Sequence, residues 1–94
     1  MTDPTFVPLE HIVASHLEDG DGVLVDLNSR QYYQLNESAM LIWLALEKGF
    51  SFDQIVSEIV TTYTVSNERA ITSAEALIKQ LQQRKLVRPA NGTS

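Results

Sequence analysis

At Leu35–Asn36 the hydrophobic pattern of the chain changes period, and that change fixes the class of fold. Upstream, apolar residues recur at every second position. Val23, Val25 and Leu27 share one face of an extended segment, and Tyr33 and Leu35 share a face of the next. Downstream, Phe52, Ile55, Val56, Ile59, Val60 and Tyr63 fall at i, i+3, i+4, i+7, i+8 and i+11, the spacing of an amphipathic helix. A period of 2 followed by a period of 3.6 predicts an α+β fold, strands first, with two layers sharing one core.

Turn and cap signals subdivide the two halves. Leu9 to Leu17, with His11, Ile12 and Val13, ends in the turn cluster Glu18-Asp19-Gly20-Asp21-Gly22. Val23 to Leu27, the turn Asn28-Ser29-Arg30, and Gln31 to Leu35 complete a three-stranded antiparallel meander. Asn36 is a good N-cap with Glu37 in the first turn, and the helix it opens runs to about Lys48 and stops at Gly49. Ser51-Phe52-Asp53-Gln54 fits a capping box. Ser66 or Asn67 caps a third helix, whose Ala70, Ile71, Ala74, Leu77, Ile78 and Leu81 form one stripe. Leu86 and Val87 add a short extended piece. The order β-β-β-α-α-α is that of a winged helix-turn-helix-like domain, expected over residues 7–88, with flexible tails at 1–6 and 89–94.

With 94 residues the chain can build one core, burying about 60% of its unfolded surface. A deep catalytic cleft is not expected beside it. Twelve acids against seven bases, net −5, count against nucleic acid as a partner. The absence of cysteine excludes disulfides, thiolate metal sites and a cysteine nucleophile. The longest apolar run, Ala39 to Leu46, is far short of the ~20 residues of a membrane span. The first twenty residues hold two His, four acids and no Lys or Arg, unlike a secretory signal. The expected place is the cytoplasm, with no membrane partner.

The motifs of catalysis and metal binding are missing. Asp19-Gly20-Asp21-Gly22 begins like a calcium loop, but Val23, Leu24 and Arg30 stand where Asp, Gly and a bidentate Glu are needed. His11 and His16 are an odd distance apart, so on a strand they lie on opposite faces and share no metal. The four glycines do not have the spacing of a phosphate or dinucleotide loop. No catalytic residue, metal or cofactor is expected, and the chain is not expected to be an enzyme.

Four features can carry binding. Gln31 to Leu35 closes the meander, so it can lie on the edge of the sheet, and it holds none of the Pro, Gly or Lys that usually protect an edge. It is open to a peptide strand, or else covered by a helix or loop. Ala39 to Leu46, apolar all round with Trp43 in its middle, is central to the core or meets a partner, and core is favoured. The small Ala70 and Ala74 above Leu77 and Leu81 leave room for something to lie alongside, or for close helix packing. Finally, residues 66–94 hold five bases and two acids, against two bases and ten acids before them. Lys79, Arg84, Lys85 and Arg88 crowd the last helix, where they complement its dipole or meet acidic side chains of a partner.

The stretch Val23-Leu24-Val25-Asp26-Leu27-Asn28-Ser29-Arg30-Gln31-Tyr32-Tyr33-Gln34-Leu35-Asn36-Glu37-Ser38-Ala39, followed by Ile42-Trp43, resembles the PqqD-like family. Phe52 to Val56 and Leu77 to Val87 match that family's later helices, so the resemblance spans about residues 10–88. It implies a recognition element for ribosomally made, modified peptides: a domain that binds a precursor's leader and delivers it to modifying enzymes. The leader would join the sheet at Gln31, Tyr32, Tyr33, Gln34 and Leu35. It would pack against Ala70, Ala74, Leu77, Ile78 and Leu81, with Lys79, Arg84 and Lys85 as rim charges. The chain departs from the family at Lys85, where a Gly often precedes the final Leu-Val, and it lacks the Tyr-Pro-Glu-Gly type of segment associated with pyrroloquinoline quinone synthesis protein D itself. It looks more like the freestanding leader-binding protein of a lasso-peptide pathway, beside a leader peptidase and a cyclase. The alternatives are a PqqD-type partner of a radical-SAM enzyme and a winged-helix DNA-binding regulator. The second would start its recognition helix at Ser66 to Arg69, where one arginine must serve a site that usually needs about six to ten phosphate contacts.

Overall fold

The computed structural model describes residues 6–89. Its elements are β1 (Phe6–Pro8), β2 (Ile12–His16), β3 (Gly22–Asp26), β4 (Gln31–Leu35), α1 (Glu37–Glu47), α2 (Phe52–Tyr63), α3 (Asn67–Gln83) and β5 (Val87–Pro89). The expected meander is present as a sheet of order β2-β3-β4, antiparallel throughout. Its inward row, Ile12, Leu24 and Leu35, is buried against the helices. The β3–β4 turn is held by the Asp26 carboxylate, which accepts from the N–H groups of Asn28 (2.9 Å) and Ser29 (3.1 Å). Those bonds, the one from Ser29 foremost, hold the Asp26 carboxyl below its ordinary value against the opposing effect of burial; the His11 imidazole, 3.7 Å away, adds a smaller pull.

Two departures from the sequence reading concern the ends of strands. Phe6 and Pro89, expected in tails, pair with each other as β1 and β5 form a second, two-stranded antiparallel sheet. Leu86 and Val87 are buried and anchor that extension, and the Leu9 N–H donates to the Leu86 carbonyl at 3.0 Å. The remaining tail positions, 1–5 and 90–94, lie outside the described residues. Gly22 is not part of a turn but the first residue of β3, and a Cβ there would overlap Sδ, Cγ and Cε of Met40. The glycine lets α1 come down onto the sheet.

The helices start where their caps predict. Asn36 accepts from the Ala39 N–H, Ser51 and Gln54 form the reciprocal capping box, and Ser66 accepts from the Arg69 N–H. α1 and α3 end in the same device. Gly49 and Lys85 both take left-handed φ (82° and 60°). In each case the two N–H groups beyond the cap return to the last turn: Gly49 to Leu46 and Phe50 to Ala45, Lys85 to Gln82 and Leu86 to Leu81. α1 is the central helix, as its apolar run predicts. Met40, Ile42, Trp43, Ala45 and Leu46 are buried, and the Trp43 indole N–H is satisfied by Glu47 Oε2 at 2.9 Å. Among the described residues, no helix is long and apolar enough to cross a membrane.

Candidate peptide-binding groove

The hydrogen-bond phase of the meander decides which backbone groups of β4 are free. The Leu27 N–H donates to the His11 carbonyl and the Leu17 N–H to that of Asp21. Bonded pairs alternate along an antiparallel ladder, so Val23 and Val25 turn their backbone to β2, while Gly22, Leu24 and Asp26 turn theirs to β4. Their partners there are Leu35, Tyr33 and Gln31. The N–H and C=O groups of Tyr32 and Gln34 therefore point away from the sheet, along an edge that no further strand of the described residues covers.

Beside this edge lies α3, and between the two runs a groove of about 210 Å³. Its strand side is Tyr32 to Leu35; its helix side is Leu77, Gln80, Leu81 and Arg84, with Leu86 below. Leu77 and Gln80 also line a second groove, of about 560 Å³, that continues toward the start of α3 between Asn36, Ala39 and Ile42 of the α1 end and Tyr63, Arg69, Ser73 and Ala76. Burial raises the Tyr63 phenol above its ordinary 10.0, with the nearby Glu37 charge adding to the effect.

The strand residues expected at the site have distinct placements. Tyr33 and Leu35 face the helices; Tyr33 is half-buried and donates its phenol O–H to Gln31 Oε1 at 2.6 Å. Tyr32 stands on the opposite face, 73% exposed, in register with Val25 and Val13, so toward the groove it offers backbone alone. Of the five expected helix residues, Ala70, Ala74 and Ile78 are fully in the core and line neither groove. They are the centre of the apolar stripe, which α3 turns toward the other helices. Leu81 is core with one side on the groove, and Leu77, partly buried against the core, borders both grooves. Of the three expected rim charges, only Arg84 lines the groove; Lys79 and Lys85 are exposed elsewhere.

The sequence reading missed Arg69, Ser73, Ala76 and Gln80. A signal for them exists. With Leu77 and Arg84 they fall at i, i+4, i+7, i+8, i+11 and i+15 from Arg69, a helical row along one flank of the apolar stripe. The row mixes small, polar and apolar residues, so it has no hydrophobic period of its own to mark it.

Two solved structures superpose on nearly the whole chain. One, described as TbiB1 in complex with the TbiA(beta) leader peptide, has a TM-score of 0.81 and 24% identity, covering 94% of this chain and 98% of that one. The other, described as lasso peptide synthetase B1 complexed with the leader peptide, has a TM-score of 0.79 and 28% identity, covering 89% and 98%. No curated protein matches the chain significantly. The family model of coenzyme PQQ synthesis protein D (PqqD) matches residues 21–87, from the residue before β3 to the first residue of β5, and the chain belongs to that family.

Proposed function

We propose that the chain is a non-catalytic adaptor that binds the leader of a ribosomally made precursor peptide and presents it to maturation enzymes, a leader peptidase and a cyclase of a lasso-peptide pathway. Acting on a newly translated precursor, it works in the cytoplasm. The leader adds to β4 as an antiparallel strand and sets apolar side chains against α3 at Leu77 and Leu81. The observation that carries this reading is the open edge of β4 facing a groove against α3, in the fold of two proteins solved with leader peptides.

The energetics are consistent with such a complex. Tyr32 and Gln34 offer four ladder hydrogen bonds, each worth about 0.5–1.5 kcal/mol net. Two apolar anchors at about 1.5–3 kcal/mol each bring the total to micromolar or better after the cost of ordering the peptide. The test is a titration of isotope-labelled protein with the leader segment of a precursor encoded beside its gene. Amide shifts concentrated in residues 30–36 and in the groove side of α3 support the reading. Shifts centred on residues 12–16 place the peptide on the other edge of the sheet and overturn it.

A further inference from the structure

The two grooves form one continuous track along α3, and its charge is unlike that of the rest of the chain. Acids outnumber bases twelve to seven overall. Yet the residues lining the track include two arginines, Arg69 at one end and Arg84 at the other, and no carboxylate. Glu37 is near enough to act on the Tyr63 phenol but does not line the groove. Among the described residues, neither arginine has an ion-pair partner. Arg84 lies instead over the Tyr33 ring, 5.3 Å from its centroid. Both arginines are exposed at the ends of the track, where an anion on a bound peptide strand can meet them as a rim pair that sets orientation and register.

The geometry also sets order and spacing. Tyr33 lies beside Arg84, while Asn36, at the far end of β4, lies in the groove with Ala76 and Leu77. β4 therefore runs opposite to α3, and a strand antiparallel to β4 runs with α3, its N-terminal part near Arg69. The two arginines are fifteen positions apart along the helix, or ~22 Å at 1.5 Å per residue. At about 3.3 Å per residue, an extended peptide covers that distance in about six or seven residues.

We propose that the leader recognised by this chain carries two carboxylates about six or seven residues apart, the N-terminal one paired with Arg69 and the C-terminal one with Arg84. This rests on the leader-binding reading above and adds to it the chemical class of the ligand at both ends of the bound segment.

The probe is a phage-displayed library of random fifteen-residue peptides, selected on the full chain, with individual binders mapped by amide shifts. The expected result is enrichment of Asp or Glu at two positions six or seven apart, flanking apolar anchors. Selection on Arg69→Ala loses the N-terminal preference, and selection on Arg84→Ala loses the C-terminal one. For one binder, removing either carboxylate weakens affinity about three- to fivefold, as expected of rim pairs. Because Arg84→Ala also removes a contact to Tyr33, Arg84→Glu is tested with a binder whose C-terminal acid is replaced by Lys; recovery of affinity assigns the effect to charge. Binders that shift the amides of β4 yet show no acidic preference overturn the proposal and leave the leader-binding reading standing. Failure to obtain any binder that shifts β4 overturns both.

Discussion

The Arg84 guanidinium lies 5.3 Å from the centroid of the Tyr33 ring and joins the end of α3 to the middle of β4. A cation over an aromatic face is worth about 0.5–1 kcal/mol where solvent reaches it. That is enough to set the spacing of the two elements at this end and too little to close them together. Between Arg84 and Leu77 they stay apart, and the space between them is the groove. One side of that space is a row of side chains on α3. The other is a strand whose free backbone alternates with backbone already used by the sheet.

That alternation predicts opposite outcomes for proline at neighbouring positions of β4. The Gln34 N–H points out of the sheet, so Gln34→Pro removes no ladder bond, and the fold survives at a cost of about 1 kcal/mol or less. It does remove one donor for a strand added to the edge. The Tyr33 N–H is committed to β3, and Tyr33→Pro loses that bond and strains the pairing. Thermal melts should separate the two variants, with Gln34→Pro folded and impaired in peptide binding. If Gln34→Pro unfolds and Tyr33→Pro does not, the assigned phase of the ladder is reversed.

Leu77 borders both grooves and is only partly buried at the edge of the core, so its replacement separates binding from folding. Leu77→Glu puts a carboxylate where an apolar anchor is expected to sit and should weaken leader binding by at least a hundredfold, measured by calorimetry. Its loss of stability should stay near 1 kcal/mol, in contrast to Trp43→Ala, which empties a fully buried site and should cost about 3–5 kcal/mol. Unfolding of Leu77→Glu would make Leu77 a core residue and remove it from the site.

Most of the fold is legible in the sequence because local signals and global packing agree. The caps Asn36, Ser51 and Ser66, the alternation from Val23 to Leu35 and the all-round apolar run of α1 each point to the element that forms. What escapes is long-range. The pairing of Phe6–Pro8 with Val87–Pro89 joins the two ends of the described chain, and no local pattern announces it. Gly22 reads as a turn residue because it follows Asp21, whereas its role is set by Met40, eighteen residues on. The site was half legible for the same reason. The edge strand has a signature, the absence of protecting residues. The flank of α3 that faces it does not, and the apolar stripe of that helix points to Ala70, Ala74 and Ile78, which the core takes.

Two non-glycine residues hold left-handed backbone at helix ends, Thr64 (φ 53°) after α2 and Lys85 (φ 60°) after α3. Gly49 occupies the position equivalent to Lys85 at the end of α1, with the same pair of returning hydrogen bonds. Lys85→Gly should therefore stabilise the protein by about 0.5–1 kcal/mol. Thr64→Gly should do at least as well, because a β-branched side chain is the worst suited to this region. Denaturant midpoints are the measure. Since Lys85 lines neither groove, Lys85→Gly should leave leader affinity unchanged, and a loss of affinity would restore Lys85 to the binding rim.

Asp26 ties the β3–β4 turn, and hence the position of β4, to pH. Its carboxyl is held below the ordinary 3.8 in the folded state, chiefly by the Ser29 N–H, and returns to that value when the chain unfolds. Between those two values the unfolded state binds the extra proton, so acid favours unfolding. The contribution is complete above about pH 5, begins to fall as pH approaches 3.8, and is lost as pH drops through the folded value. Asp26→Asn keeps a side-chain oxygen that can accept from Asn28 and Ser29 but has no proton to take up. At pH 7 the variant should be somewhat less stable than the parent, because the bonds to a charged acceptor are the stronger ones. Below pH 4 the difference should shrink as the parent loses its charge, and urea midpoints of the two proteins at pH 7, 5 and 3 would record the convergence. A gap that stays constant from pH 7 to pH 3 would mean that the Asp26 charge does not stabilise the turn.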